Sequence, residues 1–222
     1  MGTSYQAGLR TRQLILDVSK KLFYSKGYIK TTYTDISEAA DMNRGLIPYH
    51  FKNKQTLGFS VCMDIINNTL QAVSDMLDTD SLSDDLVAAL NIVSFYKLLS
   101  NRSFNALLLD VINDNGNSIF DINNEKNNII MLGSNMKKLE EPNLELISHV
   151  SAALKKEAVI YYSDHNSSCS TKDFAMIHIQ TVMNYAGYSK KSILELTEPA
   201  TQLAGLLSYD IGEDFSVNIT YK

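Results

Sequence analysis

Five side chains able to bind a polyanion lie close together in the first quarter of the chain: Arg44, Tyr49, His50, Lys52 and Lys54. A guanidinium can donate two hydrogen bonds to the edge of a guanine base, and ammonium, imidazole and phenol groups can bind phosphate or sugar oxygens. Their occurrence in one short stretch favours recognition of a nucleic acid, if the fold presents them on one face.

The stretch around these residues has the pattern of two short helices separated by a tight polar turn, with a further helix beginning at once. Thr32 followed by Asp35 is a weak form of the capping box that begins a helix. Asp41 tolerates the left-handed backbone that such a turn often requires. Asn43 is a favourable N-cap for the next helix. The arrangement predicts a helix-turn-helix, which places its second helix in the major groove of DNA.

The second short helix is expected to have an inner and an outer face. Ile47 and Phe51 are four residues apart and therefore fall on one side, which we expect to be buried. Arg44, Tyr49 and His50 can then face outward. Asn53 is expected to cap a long helix over residues 54–78 that connects this region to the remainder of the chain.

Charge is distributed unevenly. Residues 1–55 contain nine Lys and Arg against four Asp and Glu, a formal charge of +5, whereas residues 56–222 have a formal charge of −10. A basic amino-terminal region on an acidic body suits phosphate binding and discourages DNA from binding the wrong surface. A solvated basic face with no partner would have the same charge, so the helix-turn-helix pattern decides between the two interpretations.

Composition is that of an ordinary globular protein, with 45% hydrophobic and 20% charged residues among 222. No apolar run reaches about 18 residues, and residues 1–13 lack the apolar core of a secretory signal, so we expect a cytoplasmic protein without a membrane span. Cys62 and Cys169 are expected to be reduced thiols. No acid–base pair, nucleophile elbow, phosphate loop or metal-ligand spacing is recognisable, so we expect neither an enzyme nor a cofactor or metal.

The rest of the chain is predicted to be helical, because apolar residues recur at spacings of three and four. Pro199 lies inside the last predicted helix, and residues 211–222 alternate as a short extended tail would. The predicted helices after the first four cover residues 83–100, 103–113, 118–140, 142–162, 171–186 and 191–209, with loops at 113–117 and 163–170, and the first covers residues 10–26.

Residues 22–57 resemble the TetR family of bacterial transcriptional regulators in both residue types and spacing. The stretch reads LFYSKGYIKTTYTDISEAADMNRGLIPYHFKNKQTL and covers about a sixth of the chain. The matching positions are Phe23, Gly27-Tyr28, Thr32 with Ile36-Ser37, Gly45, Tyr49-His50-Phe51, and Asn53-Lys54 with Leu57.

The resemblance implies an all-α fold: an amino-terminal three-helix helix-turn-helix DNA-binding domain, residues 1–55, and a larger helical ligand-binding and dimerisation domain, residues 56–222. Three positions depart from the family pattern. Asp41 stands where the turn usually carries glycine, and Leu46 and Pro48 replace the usual threonine and tyrosine. Because proline lacks an amide hydrogen and crowds the preceding turn, we expect a short, bent or partly 3₁₀ recognition helix.

The family's DNA contacts carry over position by position. Arg44 is the predicted base contact and Leu46 a contact to a thymine methyl. Tyr49 and His50 are predicted to touch phosphate or sugar, and Lys54 phosphate. The full set of predicted DNA-binding residues is Thr32, Thr34, Asn43, Arg44, Gly45, Leu46, Tyr49, His50 and Lys54.

The resemblance also implies a homodimer on a near-palindromic operator and release by a small, largely apolar effector. Two helices, at about 171–187 and 191–209, would form the dimer interface. The apolar residues expected there are Phe174, Ile177, Met183, Ala186, Ile193, Leu196, Leu203, Leu206 and Leu207, with a monomer core as the alternative. The candidates for the effector pocket are Phe95, Phe104, Phe120, His149, Tyr161, Tyr162 and His178.

Two other functions compete with that of a ligand-responsive repressor. An all-helical enzyme lacks a recognisable catalytic motif. A helical adaptor that binds a protein and has lost DNA binding is the stronger alternative, because Pro48 lies within the predicted recognition helix. Salt-dependent binding to duplex DNA separates the repressor from both.

Overall fold

A computed structural model describes residues 2–115, 125–126, 135–163 and 169–222. Phe120 and most of the predicted helix 118–140 lie outside these residues, as do parts of both predicted loops. The helices are α1 (Gly2–Lys26), α2 (Tyr33–Ala39), α3 (Leu46–Phe51), α4 (Lys54–Leu77), α5 (Asp84–Leu99), α6 (Arg102–Asn115), α7 (Glu141–Ser163), α8 (Thr171–Tyr185) and α9 (Lys190–Gly205), followed by β1 (Leu207–Ile211) and β2 (Val217–Tyr221), with 3₁₀ turns at Thr79–Ser81 and Met136–Lys138.

The all-α prediction is confirmed in class, with three differences in the boundaries. Helix α1 begins at Gly2, well before the predicted residue 10. The last helix ends at Gly205, where the sequence predicted helix as far as residue 209. Residues 207–211 instead form a strand, which pairs with the predicted extended tail in an antiparallel hairpin from Leu207 opposite Tyr221 to Ile211 opposite Val217.

Helix α5 is the central element of the body, and it packs against α4, α6, α8 and α9. From Ala88 onward it has buried residues on every side, as expected of a helix surrounded by others. Leu90, Tyr96 and Leu98 are among its fully buried side chains. The small helices at the amino end share this core, since one continuous apolar cluster includes both Ile15 of α1 and Leu90.

The hairpin packs on α4 and reaches the first helix. Phe215, in its turn, is buried against Tyr24 of α1 with ring centroids 5.3 Å apart, edge to face. The Tyr221 hydroxyl donates to the Met76 carbonyl oxygen near the end of α4. The hairpin therefore contacts both the first helix and the long connecting helix. Among the described residues, no helix is long and apolar enough to cross a bilayer.

Candidate nucleic-acid interface

Helix α2 begins at the predicted capping box. The Asp35 amide donates to Thr32 Oγ1 at 3.2 Å, and the Thr32 amide and hydroxyl donate to the Asp35 carboxylate at 2.7 and 2.8 Å. Lys26 forms an ion pair with the other Asp35 oxygen at 2.7 Å. The Thr32 groups proposed to reach the DNA backbone are thus used within the chain, whereas Thr34 is exposed.

The turn after α2 confirms the role predicted for Asp41 and corrects that of Asn43. Asp41 has φ of 48°, in the left-handed region that aspartate tolerates. Helix α3 begins at Leu46 with Gly45 at its N-cap, so Asn43 lies two residues too early to be the cap. Its Oδ1 accepts instead from the Gly45 amide at 2.8 Å, which closes a tight turn ahead of the helix.

Helix α3 is short and tightly wound where it begins. The Leu46 amide donates to the Asn43 carbonyl at 3.0 Å and the Ile47 amide to the Arg44 carbonyl at 3.3 Å, both spanning three residues as in a 3₁₀ turn. Pro48 is the third helical residue, where an amide has no partner within the helix, so its missing donor costs little. The expected short, partly 3₁₀ helix is confirmed.

The two faces of α3 differ as the sequence predicted. Ile47 and Phe51 are buried, at 0% and 1% exposure. On the other face Tyr49 is 81% and Leu46 37% exposed, and Arg44 is exposed just before the helix. His50 is half-buried, and its ring meets the Tyr49 ring edge to face with centroids 5.1 Å apart. The side chains of Arg44, Leu46 and Tyr49 are therefore all exposed to solvent.

Lys54 lies at the start of α4 but its ammonium is turned toward the protein. Nζ donates to the Ile29 carbonyl at 3.0 Å and lies 4.6 Å from the centre of the Tyr28 ring. Burial lowers the pKa of Lys54, and the carboxylates of Asp110 and Asp114 oppose that shift. A phosphate contact by this ammonium would require it to leave the Ile29 carbonyl.

Not all of the basic residues at the amino end are available to a partner. Lys20 is buried and pairs with Asp64, and Lys26 pairs with Asp35. Lys30 and Lys52 are exposed. Lys52 directly follows α3, the helix that carries Tyr49, and it was not among the predicted DNA contacts. Its place at the end of the predicted recognition helix could have indicated a phosphate contact.

A cavity of about 730 Å³ lies between α4 and α5, with further walls from α7 and α8. Phe95 and His178, two predicted pocket residues, line it. Phe104 is buried in the core and His149 is exposed, so neither fits the prediction. An aromatic or imidazole side chain suits a core position, a surface position or a cavity wall, so residue type alone does not distinguish them.

Tyr161 and Tyr162 belong to a cluster of rings with Phe174 instead of to the cavity wall. The Tyr161 and Phe174 centroids are 5.2 Å apart, and those of Tyr162 and Phe174 are 5.4 Å apart. This cluster joins the end of α7 to the beginning of α8. Phe120, the remaining candidate, is not described.

An ion pair next to the cavity was not predicted from the sequence. Lys155 of α7 lines the cavity, and its ammonium lies 2.8 and 2.9 Å from the two carboxylate oxygens of the buried Glu125. The two residues are 30 positions apart, and no local spacing pairs them. Only the packing of α7 against the segment that contains Glu125 brings them together.

The surface predicted for dimerisation is partly used within one chain. Met183, Ile193 and Leu207 are buried in the chain's own core, as the alternative interpretation held. Ile177 and Leu206 are about half exposed. Other exposed apolar side chains of α8 and α9 are Tyr185 and Leu194.

Comparison with known proteins identifies the amino-terminal region. Residues 15–60 match the family model for bacterial regulatory proteins of the tetR family. The HTH-type transcriptional regulator TtgR of Pseudomonas putida is 36% identical over 100 residues, which are 45% of this chain and 44% of TtgR. The probable HTH-type transcriptional regulator ArpR, also of Pseudomonas putida, is 35% identical over 100 residues, which are 45% of this chain and 44% of ArpR. The chain thus matches less than half the length of these relatives.

The fold of the chain is that of solved structures with little sequence identity. The crystal structure of RolR in complex with the ligand resorcinol has a TM-score of 0.54 at 13% identity, covering 87% of this chain and 95% of RolR. RolR without ligand has a TM-score of 0.50 at 12% identity, covering 80% of this chain and 97% of that one. The family match over residues 15–60 spans the capped helix-turn-helix at residues 33–51, so this amino-terminal region is similar to that of the TetR family of bacterial regulatory proteins.

Proposed function

We propose that the chain is a transcription regulator, acting as a repressor, that binds a near-palindromic operator as a homodimer and is released by a small-molecule effector. The observation that carries the proposal is the exposed face of Arg44, Leu46 and Tyr49 on a short helix whose opposite face is buried. A guanidinium can bind guanine O6 and N7, and an apolar side chain can contact a thymine methyl. Residues 1–55 would form the DNA-binding domain and residues 56–222 the effector and dimerisation domain.

Positive charge supports the same assignment. Arg44, Lys52 and Lys30 are exposed in the amino-terminal region, where DNA phosphates would approach. The remainder of the chain is acidic, so a duplex is attracted to one end of the molecule and repelled elsewhere. Binding should therefore weaken steeply as salt is added.

Dimerisation is proposed because a single short helix contacts too few base pairs for useful specificity. The exposed apolar residues of α8 and α9, among them Ile177, Leu194 and Leu206, offer a surface for a second copy. A two-fold pair of chains would place two recognition helices on successive turns of the duplex, which requires a near-palindromic site.

Release by an effector is proposed from the position of the cavity. Met63, Ile66 and Leu70 of α4 line it, and the same helix begins three residues after α3 ends. A ligand that fits the cavity better when α4 is displaced would shift the chain toward a conformation that binds DNA less well. The volume is within the range of small-molecule sites.

The proposal is tested by selecting bound fragments from the genome that encodes the chain. We expect an enriched near-palindrome and a retarded complex that contains two chains, with affinity that falls as salt rises. A complex with one chain would contradict the dimer. Absence of any enriched sequence would contradict operator binding and favour the adaptor.

A further inference from the structure

We propose that the cavity between α4 and α5 selects an uncharged ligand and rejects organic anions, because its lining cation Lys155 is already paired with Glu125 within the protein. The inference rests on the proposed function in taking this cavity as the effector site. Eight of the seventeen described lining residues are apolar, so a ligand with an apolar part fits this cavity. The apolar lining side chains are Met63, Ile66, Leu70, Leu82, Val87, Ala88, Ile92 and Phe95.

Lys155 is the less exposed of the two lysines among the described lining residues, and an anionic ligand would pair with it. Its ammonium binds both oxygens of Glu125, at 2.8 and 2.9 Å, and the two side chains are 15% and 3% exposed. A buried carboxylate left without this partner would carry a large desolvation cost. An anionic ligand that paired with Lys155 would therefore leave the buried Glu125 carboxylate without its cation.

A chain of hydrogen bonds holds Glu125 in place beside Lys155. The Ser151 hydroxyl donates to Glu125, and because a carboxylate only accepts, this direction is fixed. Ser151 Oγ then accepts from His178 Nε2 at 2.7 Å, and the Tyr96 hydroxyl lies 3.0 Å from His178 Nδ1, within hydrogen-bond distance. All of these groups except Lys155 are buried.

Burial keeps the histidine in this chain of hydrogen bonds uncharged. A ring that donates from Nε2 and accepts at Nδ1 is the neutral tautomer. Burial and the nearby ammonium of Lys155 lower the pKa of His178 well below its usual value, in agreement with that tautomer. His178 lines the cavity as a neutral group and does not attract an anion.

The other cation among the described lining residues, Lys137, is more exposed than Lys155 and lies 3.5 Å from the Asp84 carboxylate. Asp80 also lines the cavity. Together with Glu125 and Lys155 these groups sum to a negative charge. Asn67 and Asn91, on facing helices, supply neutral polar groups that can hydrogen-bond an uncharged ligand.

Two fluorescent probes with the same rings test the proposal on the full chain without DNA. N-Phenyl-1-naphthylamine is uncharged, and 8-anilinonaphthalene-1-sulfonate differs from it by one sulfonate. We expect the uncharged probe to bind at least about tenfold more tightly, since each tenfold is about 1.4 kcal/mol and an unpaired buried anion costs more. Asn91→Trp, which fills the cavity, should abolish this binding.

Glu125→Gln should reduce the ratio of the two affinities, uncharged probe over sulfonate, at least severalfold, because it frees Lys155 to pair with the sulfonate. Glu145→Gln, which removes an exposed carboxylate from the same helix as Lys155, is the matched control and should leave the preference unchanged. If Glu125→Gln does not fold, Lys155→Gln should widen the preference, since it leaves the Glu125 carboxylate without its cation.

Equal or tighter binding of the sulfonate to the parent would overturn the proposal, as would binding of neither probe or binding that Asn91→Trp leaves intact. A different result would contradict the proposed function. If the uncharged probe binds with the expected preference but leaves the DNA complex intact, the ligand chemistry stands and release by this ligand is contradicted.

Discussion

The Tyr28 hydroxyl donates a 2.6 Å hydrogen bond to the Asp114 carboxylate, which joins the loop after α1 to the end of α6. The two residues are 86 positions apart, and the Lys54 ammonium lies over the same tyrosine ring. Burial, and then the hydrogen bond to Asp114, raise the pKa of Tyr28, so the hydroxyl remains a donor at neutral pH. This bond ties the amino-terminal helices to the body at the base of α4.

Tyr28→Phe removes the donor and keeps the ring. Because the acceptor is charged and partly exposed, we expect the free energy of unfolding to fall by about 1 kcal/mol. Urea denaturation measures the change. Tyr5→Phe, in an exposed part of α1, is the control and should have no effect. Equal stability of Tyr28→Phe and the parent would show that the bond contributes nothing.

Gly58→Ala should destabilise the chain although alanine favours helix. An added Cβ would lie 2.6 Å from Tyr28 Cε2 and 3.0 Å from Val111 Cγ2. We expect the clash to outweigh the gain in helix propensity and to cost about 1–3 kcal/mol, read from thermal or urea unfolding. Gly205→Ala is the matched control, since open space surrounds that position in α9. If both substitutions stabilise the chain, close packing of Gly58 against Tyr28 and Val111 is contradicted.

Phe215→Ala tests whether the carboxy-terminal hairpin is part of the core. Phe215 is 2% exposed and packs edge to face on Tyr24, so we expect a loss of about 3–5 kcal/mol. Tyr221→Phe, which removes only the hydrogen bond to the Met76 carbonyl, should cost about 1 kcal/mol or less. Similar small losses for both variants in urea unfolding would mean that the hairpin docks loosely.

The capping box of α2 should make stability depend on acid pH. The hydrogen bond from Lys26, followed by those from Thr32, lowers the pKa of Asp35 from 3.8 to about 2. A depressed carboxylate pKa stabilises the fold above its unfolded value, and that contribution is lost as the pH falls from about 4 through about 2. An NMR titration of the Asp35 carboxyl should give the low value. A value near 3.8 would contradict the geometry, and Asp35→Asn should remove the pH-dependent contribution.

Local rules predicted the helix-turn-helix well because its ends are set by neighbouring residues. Thr32 caps α2, Asp41 adopts the left-handed turn, and Asn53 caps α4 by accepting from the Thr56 amide. The inward pair Ile47 and Phe51 follows from helical spacing alone. These features need only contacts within a few residues.

Positions decided by distant contacts were not predictable in the same way. Leu14 is four residues before Val18, which packs against the core, and helical spacing would therefore place it on the inner side of α1, yet it is 45% exposed. Lys54 turns to the Ile29 carbonyl and the Tyr28 ring, about 25 residues earlier. Glu125 and Lys155 meet only through tertiary packing. Sequence periodicity gives a helix's inner side approximately, and it cannot give the partner of a long polar side chain.

The most direct test of the central claim, that the outer face of α3 reads DNA, is the affinity of Arg44→Ala for the selected operator and for a scrambled duplex at fixed salt. The exposed Arg102→Ala, on α6 of the body, is the matched control for loss of one positive charge. We expect Arg44→Ala to lose about 1–3 kcal/mol on the operator and much less on the scrambled duplex, while Arg102→Ala retains the parent's preference. An Arg44→Ala protein that binds and discriminates both duplexes as the parent does would contradict the account.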